Sequence, residues 1–416
     1  MDMQKQVKTR IEKTVLSNGL TVISEYVPAV HSVSLGVWVK TGTRYENEKN
    51  NGIAHFLEHM VFKGTKRRSA FKIVQSIEEL GGSLNAYTSK ELTVYYAHAL
   101  DTQLTNCVNV LSDMLCHSLF RQRDIDHEKQ VILEEIGSVK DTPDEYIFDL
   151  FQENLFPKQP IGFPILGTEQ SVTQLSRDDL IEFWSKYYCS DNIVIAAAGN
   201  LRHDRFVKLV EKRFHFLPRA LVVNFESPLA AKNIDLEFSE PVNQAHLCVG
   251  LEALSYLSQD RYVLMAINSY LGGGMSSKLF QVIREKYGLA YSVFSFVDFF
   301  RDTGMLSFYI GTDKCNQKRA LGLLFTEIEK LTQKELRKSR VDKIKEQMKG
   351  NILLALESSN RRMTRLARNE IYYNRQIDLD ELVEQINAIT PESLHTFSRN
   401  IFKFDHFNVV KLIPNN

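Results

Sequence analysis

The sequence predicts an α+β protein made of two similar domains, each with a mostly antiparallel sheet packed by helices. Length is the first reason, because 416 residues exceed what one hydrophobic core usually supports. The second is that short runs of β-type residues alternate with longer stretches of helical apolar spacing. The third is that one order of elements occurs twice along the chain.

The repeated order is strand, helix, loop, helix, glycine-containing turn and a strand that contains Ala-Tyr-Ser/Thr. In the first half this last strand is at 83–88, and in the second half it follows Gly288. We therefore expect an N-terminal domain at residues 1–218, a linker at 219–234 and a homologous C-terminal domain at 235–416.

Local signals place the individual elements in order. Asn18-Gly19 between two β-rich runs predicts a hairpin, and Asn50, Asn51 and Gly52 supply helix N-cap chemistry before a helix that ends near Gly64. The further elements of the first half are a strand at 33–40, a helix at 69–80 with Phe71, Val74, Ile77 and Leu80 buried, strands at 83–88 and 93–99, helices at 102–118 and 124–140, a strand at 193–199 and a helix at 202–214. Those of the second half are a strand at 246–251, a helix at 262–270, a glycine loop at 272–274 and a helix at 278–286.

Composition narrows the function classes. The chain is 44% hydrophobic and 25% charged, and its formal net charge is zero, which argues against nucleic acid or an anionic membrane as a partner. Its five cysteines are scattered and form no CxxC pair, which favours a reducing compartment. Residues 1–10 have no apolar core, and no segment approaches a membrane span. We expect a cytoplasmic protein of bacterial type.

Two histidines and a glutamate form the most informative motif. His55, Glu58 and His59 lie in a stretch of helical apolar spacing, so both imidazoles project from one face and can bind one zinc ion. This HxxEH pattern inverts the commoner HExxH. Glu58 lies beside the two histidines, where its carboxylate can reach a metal-bound water without being a ligand itself. Since a lone histidine on an apolar helix is more often a core residue, a further ligand is needed to support this interpretation.

A later helix offers the third ligand. Glu128 and Glu135 lie seven residues apart on one stripe, which Ile132 and Val139 continue. Buried carboxylates are costly unless they are paired or bind a metal. A solvated acidic face is the alternative for such a helix. We assign Glu135 to the metal and Glu128 to a position behind it, where its carboxylate could orient a ligand histidine.

Together these residues resemble the inverzincin zinc peptidases of the pitrilysin family. The resemblance rests on the run HFLEHMVFKGT at 55–65 and on Glu135, 76 residues after His59, and it extends from about residue 14 to the end of the chain. Within the family, the motifs are most similar to the β subunit of mitochondrial processing peptidase and its compact bacterial relatives.

The resemblance implies a role for each residue of the motif. The two motif histidines and Glu135 would hold one zinc ion per chain, with Glu58 as the general base and Glu128 as the supporting carboxylate. Glu134 stays open as the ligand if the register differs by one residue.

The resemblance also implies how a peptide is held. An extended peptide presents one carbonyl to a metal, and the segment 83–88 suits an exposed edge strand that pairs with it, with Asn85 and Ala86 at the substrate. An interior strand is the alternative. Phe62 matches the aromatic residue lining the pocket for the residue after the cut.

Two acidic residues match positions that recognise arginine near the cleavage site in processing peptidase. Glu145 and Asp149 are four residues apart after Pro143, so a helix would present them on one face. A solvated helix face is the alternative. We expect cleavage with a basic residue two positions before the bond and a bulky apolar residue after it.

The second half carries no HxxEH but matches the family's substrate-binding loop and Arg/Tyr pair. Gly272 to Gly274 form the loop, and Arg284 and Tyr291 match the pair. Without a GK[ST] sequence, the glycines do not indicate a nucleotide site. Because one chain carries both the zinc motif and this pair, we expect a homodimer that closes like a clamshell over a chamber for peptides or unfolded segments.

Two other functions share this fold. A non-catalytic scaffold, like the core proteins of the respiratory cytochrome bc complex, would have lost zinc residues, whereas all four are present here. A subunit active only with an unlike partner is disfavoured by Arg284 and Tyr291. Both stay open, as do the physiological substrate and the choice between precursor processing and peptide degradation.

Overall fold

The computed structural model describes residues 10–218 and 225–415. Residues 1–9, the first part of the expected linker at 219–224, and residue 416 lie outside this range. The described chain divides into two compact units: the first consists of 10–136, 164–218 and 354–376, and the second of 137–163, 225–353 and 377–415.

Each unit contains one β-sheet. The strands of the first sheet are β1 Arg10–Val15, β2 Thr21–Tyr26, β3 Ser32–Val39, β4 Ser83–Thr88, β5 Thr93–Leu100 and β6 Ile193–Gly199. Those of the second are β7 Asp235–Glu240, β8 Ala245–Ala253, β9 Ala290–Phe299, β10 Gly304–Thr312 and β11 Asn408–Pro414. The predicted hairpin at Asn18-Gly19 is confirmed as the antiparallel pair β1–β2.

Helices account for most of the remaining structure. In chain order they are α1 Ile53–Val61, α2 Ala70–Glu78, α3 Leu104–His117, α4 Gln122–Lys140, α5 Pro143–Leu155, α6 Glu169–Gln174, α7 Arg177–Tyr187, α8 His203–Arg213, α9 Arg261–Gly272, α10 Gln317–Gln333, α11 Lys338–Ala355, α12 Ser359–Tyr373, α13 Leu379–Asn387 and α14 Pro391–Ile401. Within the described part of the chain, no helix has the length and apolarity to cross a membrane.

The strand order confirms the predicted duplication. The first sheet runs β1-β2-β6-β3-β5-β4 and the second β7-β11-β8-β10-β9. When β1 is left out and the five remaining strands of each unit are numbered 1 to 5 along the chain, both sheets have the strand order 1-5-2-4-3. In each sheet the first and fifth strands of this set are parallel, and the other pairs are antiparallel. The two halves therefore share one topology.

Both faces of the first sheet are buried, which explains why its central strands are apolar almost throughout. On one face Ile193 and Ile195 of β6 pack with α1, α3 and the helices that follow. On the other face Ala196 and Trp38 pack against Leu366 of α12. Ion pairs also join α12 to this sheet: Arg362 to Glu25, and Lys13 to Glu370.

The compact units differ from the sequential domains 1–218 and 235–416 that we expected. Residues 137–163 belong to the second unit, where Ile147 and Phe151 of α5 pack in a cluster with Cys248 of β8. Residues 354–376, which include α12, belong to the first unit. Each sheet thus has one face covered by a helix from the other half of the sequence. A boundary at a single position in the chain cannot describe these units.

Two predicted helices also differ in detail. In α2 the buried residues are Ile73 and Ile77, whereas Phe71 is 74% exposed and Leu80 is exposed as well. The predicted buried residues are each three positions apart, and three residues turn a helix by only about 300°. Residues at that spacing therefore rotate progressively away from the buried face. The helix expected at 278–286 is a π-helix over Phe280–Lys286.

Candidate metal centre

The motif helix α1 is held in the first unit by its apolar side chains. Phe56, Leu57 and Met60 are inaccessible or nearly so and belong to the core of this unit. The helix lies against strands β4 and β5. Since these residues fix the rotation of α1, they also fix the directions in which His55 and His59 project.

A carboxylate outside the helix caps its N-terminus. Buried Glu46 accepts hydrogen bonds from the backbone N–H of Gly52 at 2.8 Å and of Ala54 at 2.9 Å, and from Nδ2 of Asn51 at 2.8 Å. Gly52 is the N-cap residue, with φ of 92°, and makes no side-chain cap. Of the three residues predicted to cap the helix, Gly52 is therefore the N-cap, and the carboxylate of Glu46, not a side chain of Asn50 or Asn51, satisfies the backbone donors.

Three potential ligands converge beside α1. Nε2 of His55 and Nε2 of His59 lie 3.8 Å and 3.6 Å from Oε2 of Glu135 on α4. One ligand atom from each of the three residues lies within 4.8 Å of the others. Atoms bound to one tetrahedral zinc ion are separated by about 3.3 Å. The neighbouring Glu134 is exposed, and among the described residues it does not join this group.

The chemistry of this group fits zinc. Oε2 of Glu135, which faces Nε2 of both histidines, is shielded from solvent and has no hydrogen-bond partner in the described part of the chain. Such atoms are costly unless something binds them. Two imidazoles and one carboxylate are also the donor set of catalytic zinc sites that keep one position open. These residues could therefore hold one zinc ion.

Glu128 lies behind His59. Its Oε2 is 3.1 Å from Nδ1 of His59, and its Oε1 is 2.6 Å from Nζ of Lys63. Because a carboxylate only accepts, Nδ1 carries the proton and Nε2 keeps its lone pair toward Glu135. Burial lowers the pKa of His59, but the hydrogen bond to Glu128 and the nearby carboxylates outweigh burial and leave that pKa raised. Burial and the charge of His59 lower the pKa of His55 to about 3, so His55 is neutral.

Glu58 is fixed by a residue from the sheet. Thr88, at the end of β4, donates its hydroxyl to Oε2 of Glu58 at 2.5 Å. Burial raises the pKa of Glu58, while Thr88 and His59 partly oppose that rise. The hydroxyls of Tyr95 and Tyr188 lie 2.8 Å apart. Burial raises the pKa of each tyrosine, and the charge of Glu58 adds to that rise.

Comparisons with known proteins identify the family. Residues 21–169 match the family model described as Insulinase (Peptidase family M16), and residues 174–348 match the Peptidase M16 inactive domain. The uncharacterized zinc protease YmxG of Bacillus subtilis is 40% identical over 403 residues, which cover 95% of this chain and 97% of that protein. The chain belongs to peptidase family M16. An uncharacterized zinc protease of Streptomyces coelicolor, SCO5738, is 34% identical over 400 residues, which cover 94% of this chain and 87% of that protein.

Solved structures support the same fold. The structure of a protease from Helicobacter pylori matches with a TM-score of 0.89 at 24% identity, over 98% of this chain and 100% of that one. A peptidase M16 inactive domain from Pseudomonas fluorescens matches with a TM-score of 0.89 at 19% identity, over 98% of both chains. The predicted fold class and the pitrilysin resemblance, which corresponds to family M16, are confirmed at this level.

In the first unit of this M16 chain, the expected peptide-binding strand lies at a sheet edge. β4 pairs with β5 on one side and is the last strand of its sheet. Asn85 is exposed and Ala86 is half-buried on it. Phe62, the C-cap residue of α1, is half-buried and packs against the core. An edge position leaves backbone groups for pairing with another chain.

The other expected substrate residues of the M16 chain belong to the second unit. Glu145 is exposed and Asp149 is half-buried on α5, which begins at Pro143 as predicted. The guanidinium of Arg284 lies 4.9 Å from the ring centroid of Tyr291 and 4.8 Å from that of Phe280. The expected Arg/Tyr pair is thus in contact, and Arg284 lies in the π-helix, a conformation frequent at functional sites.

Sequence reasoning missed three residues that shape the metal centre. Lys63 follows His59 by four residues, so helical spacing could have placed it near Glu128. Thr88 ends a predicted strand, but no local pattern indicates that it meets Glu58. Glu46 lies in a segment without helical or strand periodicity, and its role as a cap depends on the path of the chain.

Proposed function

We propose that this chain is a zinc endopeptidase that cleaves peptides or unfolded protein segments. The observation that carries the proposal is the convergence of His55, His59 and Glu135, with one ligand atom of each within 4.8 Å of the others. Membership in peptidase family M16, and relatives named as zinc proteases, support metallopeptidase chemistry.

Each polar residue of the centre has one role in this proposal. When bound, zinc supplies Lewis acidity that activates water and polarises the scissile carbonyl. Oε2 of Glu58 is engaged by Thr88, so we assign proton transfer to Oε1, which takes the proton of the attacking water and delivers it to the leaving amine. Glu128 holds the Nδ1 proton of His59 and keeps Nε2 available as a ligand.

Substrate recognition is proposed from the same residues. An extended peptide would pair with β4 beside Asn85 and Ala86, and Phe62 would contact the residue after the cut. Glu145 and Asp149 would select a basic residue two positions before the bond, and Arg284 and Tyr291 would bind the peptide backbone. The exposed edge of β4 and the stacking of Arg284 on Tyr291 support these roles. A cytoplasmic homodimer remains part of the proposal.

The decisive experiment is mass spectrometry of a long unfolded peptide incubated with the purified protein alone, with and without a zinc chelator. We expect internal cuts that the chelator abolishes and added zinc restores. Cut sites enriched in a basic residue two before the bond, and in a bulky apolar residue after it, would support the specificity residues. Absence of cuts despite bound zinc would point to a missing partner subunit, and absence of both to a scaffold.

Two variants separate metal binding from proton transfer. Glu58→Gln should retain zinc and lose at least about a hundredfold in kcat, because the amide cannot take a proton. His59→Ala should lose both zinc and cleavage, because only two ligands remain. Zinc content by elemental analysis and turnover of the same peptide measure both effects. Near-normal turnover in Glu58→Gln would refute the assigned base.

A further inference from the structure

A depression on the first unit is lined by an excess of basic residues. Its volume is ≈ 520 Å³, which is the size of small-molecule sites. Five permanently charged cations line it: Arg67, Arg68, Lys72, Lys212 and Arg213. Asp113 is the one carboxylate among its lining residues. Because the whole chain has a formal net charge of zero, this is a local excess.

The fold, and not one basic stretch of sequence, assembles this depression. Its lining comes from the start of α2, from α3, and from the end of α8, segments separated by tens of residues in the chain. His117 and His215 add two imidazoles. Like charges brought together in this way repel each other, so an anion that binds among them gains energy from all of them at once.

Asp113 offsets only part of this charge. Its buried carboxylate accepts hydrogen bonds from Nη1 of Arg68 at 2.5 Å and from the hydroxyl of Thr65 at 2.8 Å. Arg67, Lys72 and Lys212 form no ion pair within the described part of the chain. Nε of Arg213 is shielded from solvent and has no hydrogen-bond partner among the described residues. Several donors are therefore available to a ligand.

We infer that this depression binds the phosphate groups of a small anionic ligand. Guanidinium groups match phosphate oxygens with paired, planar hydrogen bonds, and three arginines contribute here. At least three cations beyond the Arg68–Asp113 pair call for a ligand with more than one negative charge. Inorganic pyrophosphate and the phosphates of a nucleotide share this chemistry. The site is separate from peptide hydrolysis and does not depend on it.

The test is isothermal titration of the zinc-loaded protein with pyrophosphate, repeated after zinc is removed, because phosphates also bind metal ions. The variant Arg67→Gln/Lys212→Gln/Arg213→Gln removes three charges and leaves Arg68 on the buried Asp113. We expect at least a tenfold increase in Kd in this variant, binding that persists without zinc, and weaker binding at high salt.

A second basic depression provides a matched control. It lies on the second unit, has a volume of ≈ 560 Å³, and is also lined by five cations and one carboxylate: Lys278, Lys334, Arg337, Arg340, Lys343 and Glu335. Among the described residues, none of these cations has a shielded donor without a partner, as Nε of Arg213 does, so the comparison tests whether charge alone is enough. The variant Lys334→Gln/Arg337→Gln/Lys343→Gln changes the net charge equally, and we expect less than a twofold change in Kd. If the first variant unfolds at a lower temperature, Arg67→Gln/Lys212→Gln repeats the test on two exposed residues.

Each contrary result overturns the proposal. An equal rise in Kd in both variants would mean that pyrophosphate is attracted by general electrostatics. Loss of pyrophosphate binding when zinc is removed would place the ligand at the metal. No heat at millimolar pyrophosphate would exclude the site, and tighter binding of an acidic peptide would assign the surface to a protein segment. ATP, tripolyphosphate and adenosine distinguish the sources: tighter binding of ATP than of tripolyphosphate indicates a nucleotide, and equal binding indicates a free polyphosphate.

Discussion

Thr88 holds one oxygen of the Glu58 carboxylate, and its contribution can be measured. Thr88→Val keeps the shape of the side chain and removes the hydroxyl that donates to Oε2. A hydrogen bond to a charged group contributes about 1.5–3 kcal/mol, so we expect kcat to fall by roughly tenfold to a hundredfold. KM and zinc content should stay near the wild-type values, because Thr88 is not a ligand.

Thr88→Ser is the control for this prediction. Serine keeps the hydroxyl and loses only the methyl group, so most of the turnover should return. Equal losses in the two variants would show that the methyl packing at the end of β4, and not the hydrogen bond, supports Glu58.

Glu128 should set how zinc binding depends on pH. The pKa of His59 is raised above 6.5, so as pH falls through that raised value a proton displaces the metal from His59. Glu128→Gln removes the carboxylate that raises this pKa. We expect the zinc affinity of this variant to be about 10–100-fold weaker than that of the wild type at pH 8. As the pH falls, the variant should begin to lose zinc affinity at a lower pH than the wild type does.

Competition between the protein and a chromophoric chelator, measured from pH 5.5 to 8, tests this. The ratio of wild-type to variant affinity should shrink as the pH falls. Glu134→Gln is the matched control, since Glu134 is exposed on the same helix, and it should leave the affinity unchanged at every pH. A ratio that is constant across pH would contradict the role assigned to Glu128.

At the scale of single residues, spacing along one helix was enough to predict that the two histidines of the proposed metal centre share a face. His55 and His59 are four residues apart, so their common face follows from helix geometry. The hydrogen bonds of Thr88 and Glu46 could not be predicted, because they join segments that only the folded chain brings together.

At the scale of elements, the start of α1 depends on a close backbone approach. Gly52 has φ of 92°, and a Cβ there would lie 2.6 Å from the carbonyl oxygen of Leu166 and 2.9 Å from Cα of Gly167. We expect Gly52→Ala to lower the free energy of unfolding by about 2–4 kcal/mol, from strained φ and overpacking together. Zinc affinity should also fall, because α1 carries both histidines.

Gly81 offers a control with a similar backbone and no crowding. Its φ is 76°, and a Cβ there meets nothing within 4 Å. Gly81→Ala should therefore cost only about 1 kcal/mol. Chemical denaturation of the two variants measures the difference, and equal losses would mean that the approach to Leu166 is not what requires glycine.

At the scale of the whole molecule, zinc should act on one unit. The three proposed ligands come from α1 and α4, within the first unit, and the second unit has a hydrophobic core of its own. We expect chelation to raise amide hydrogen exchange in α1 and in α4 around Glu135, and to leave β8 and β10 unchanged. Exchange measured by mass spectrometry, before and after chelation and after zinc is restored, tests this. An equal rise in both units would contradict it.

The duplicated architecture could be anticipated because strand and helix periods are local properties of the sequence. The exchange of helices between the halves could not. Both faces of β6 are apolar, with Ile195 toward one layer and Ala196 toward the other, so the strand does not indicate which helix covers which face. The assignment of α5 and α12 is made by packing between distant segments.

By itself the sequence determined the two-sheet fold class, the helix that presents His55 and His59, and a second helix with an acidic stripe. These follow from the periods of helices and strands. Only the tertiary structure decided that Glu135 faces the histidines while Glu134 is exposed, that Thr88 reaches Glu58, and that Glu46 caps α1. Those contacts depend on how separate elements approach each other, which is set by the packing of the whole core and by no local pattern.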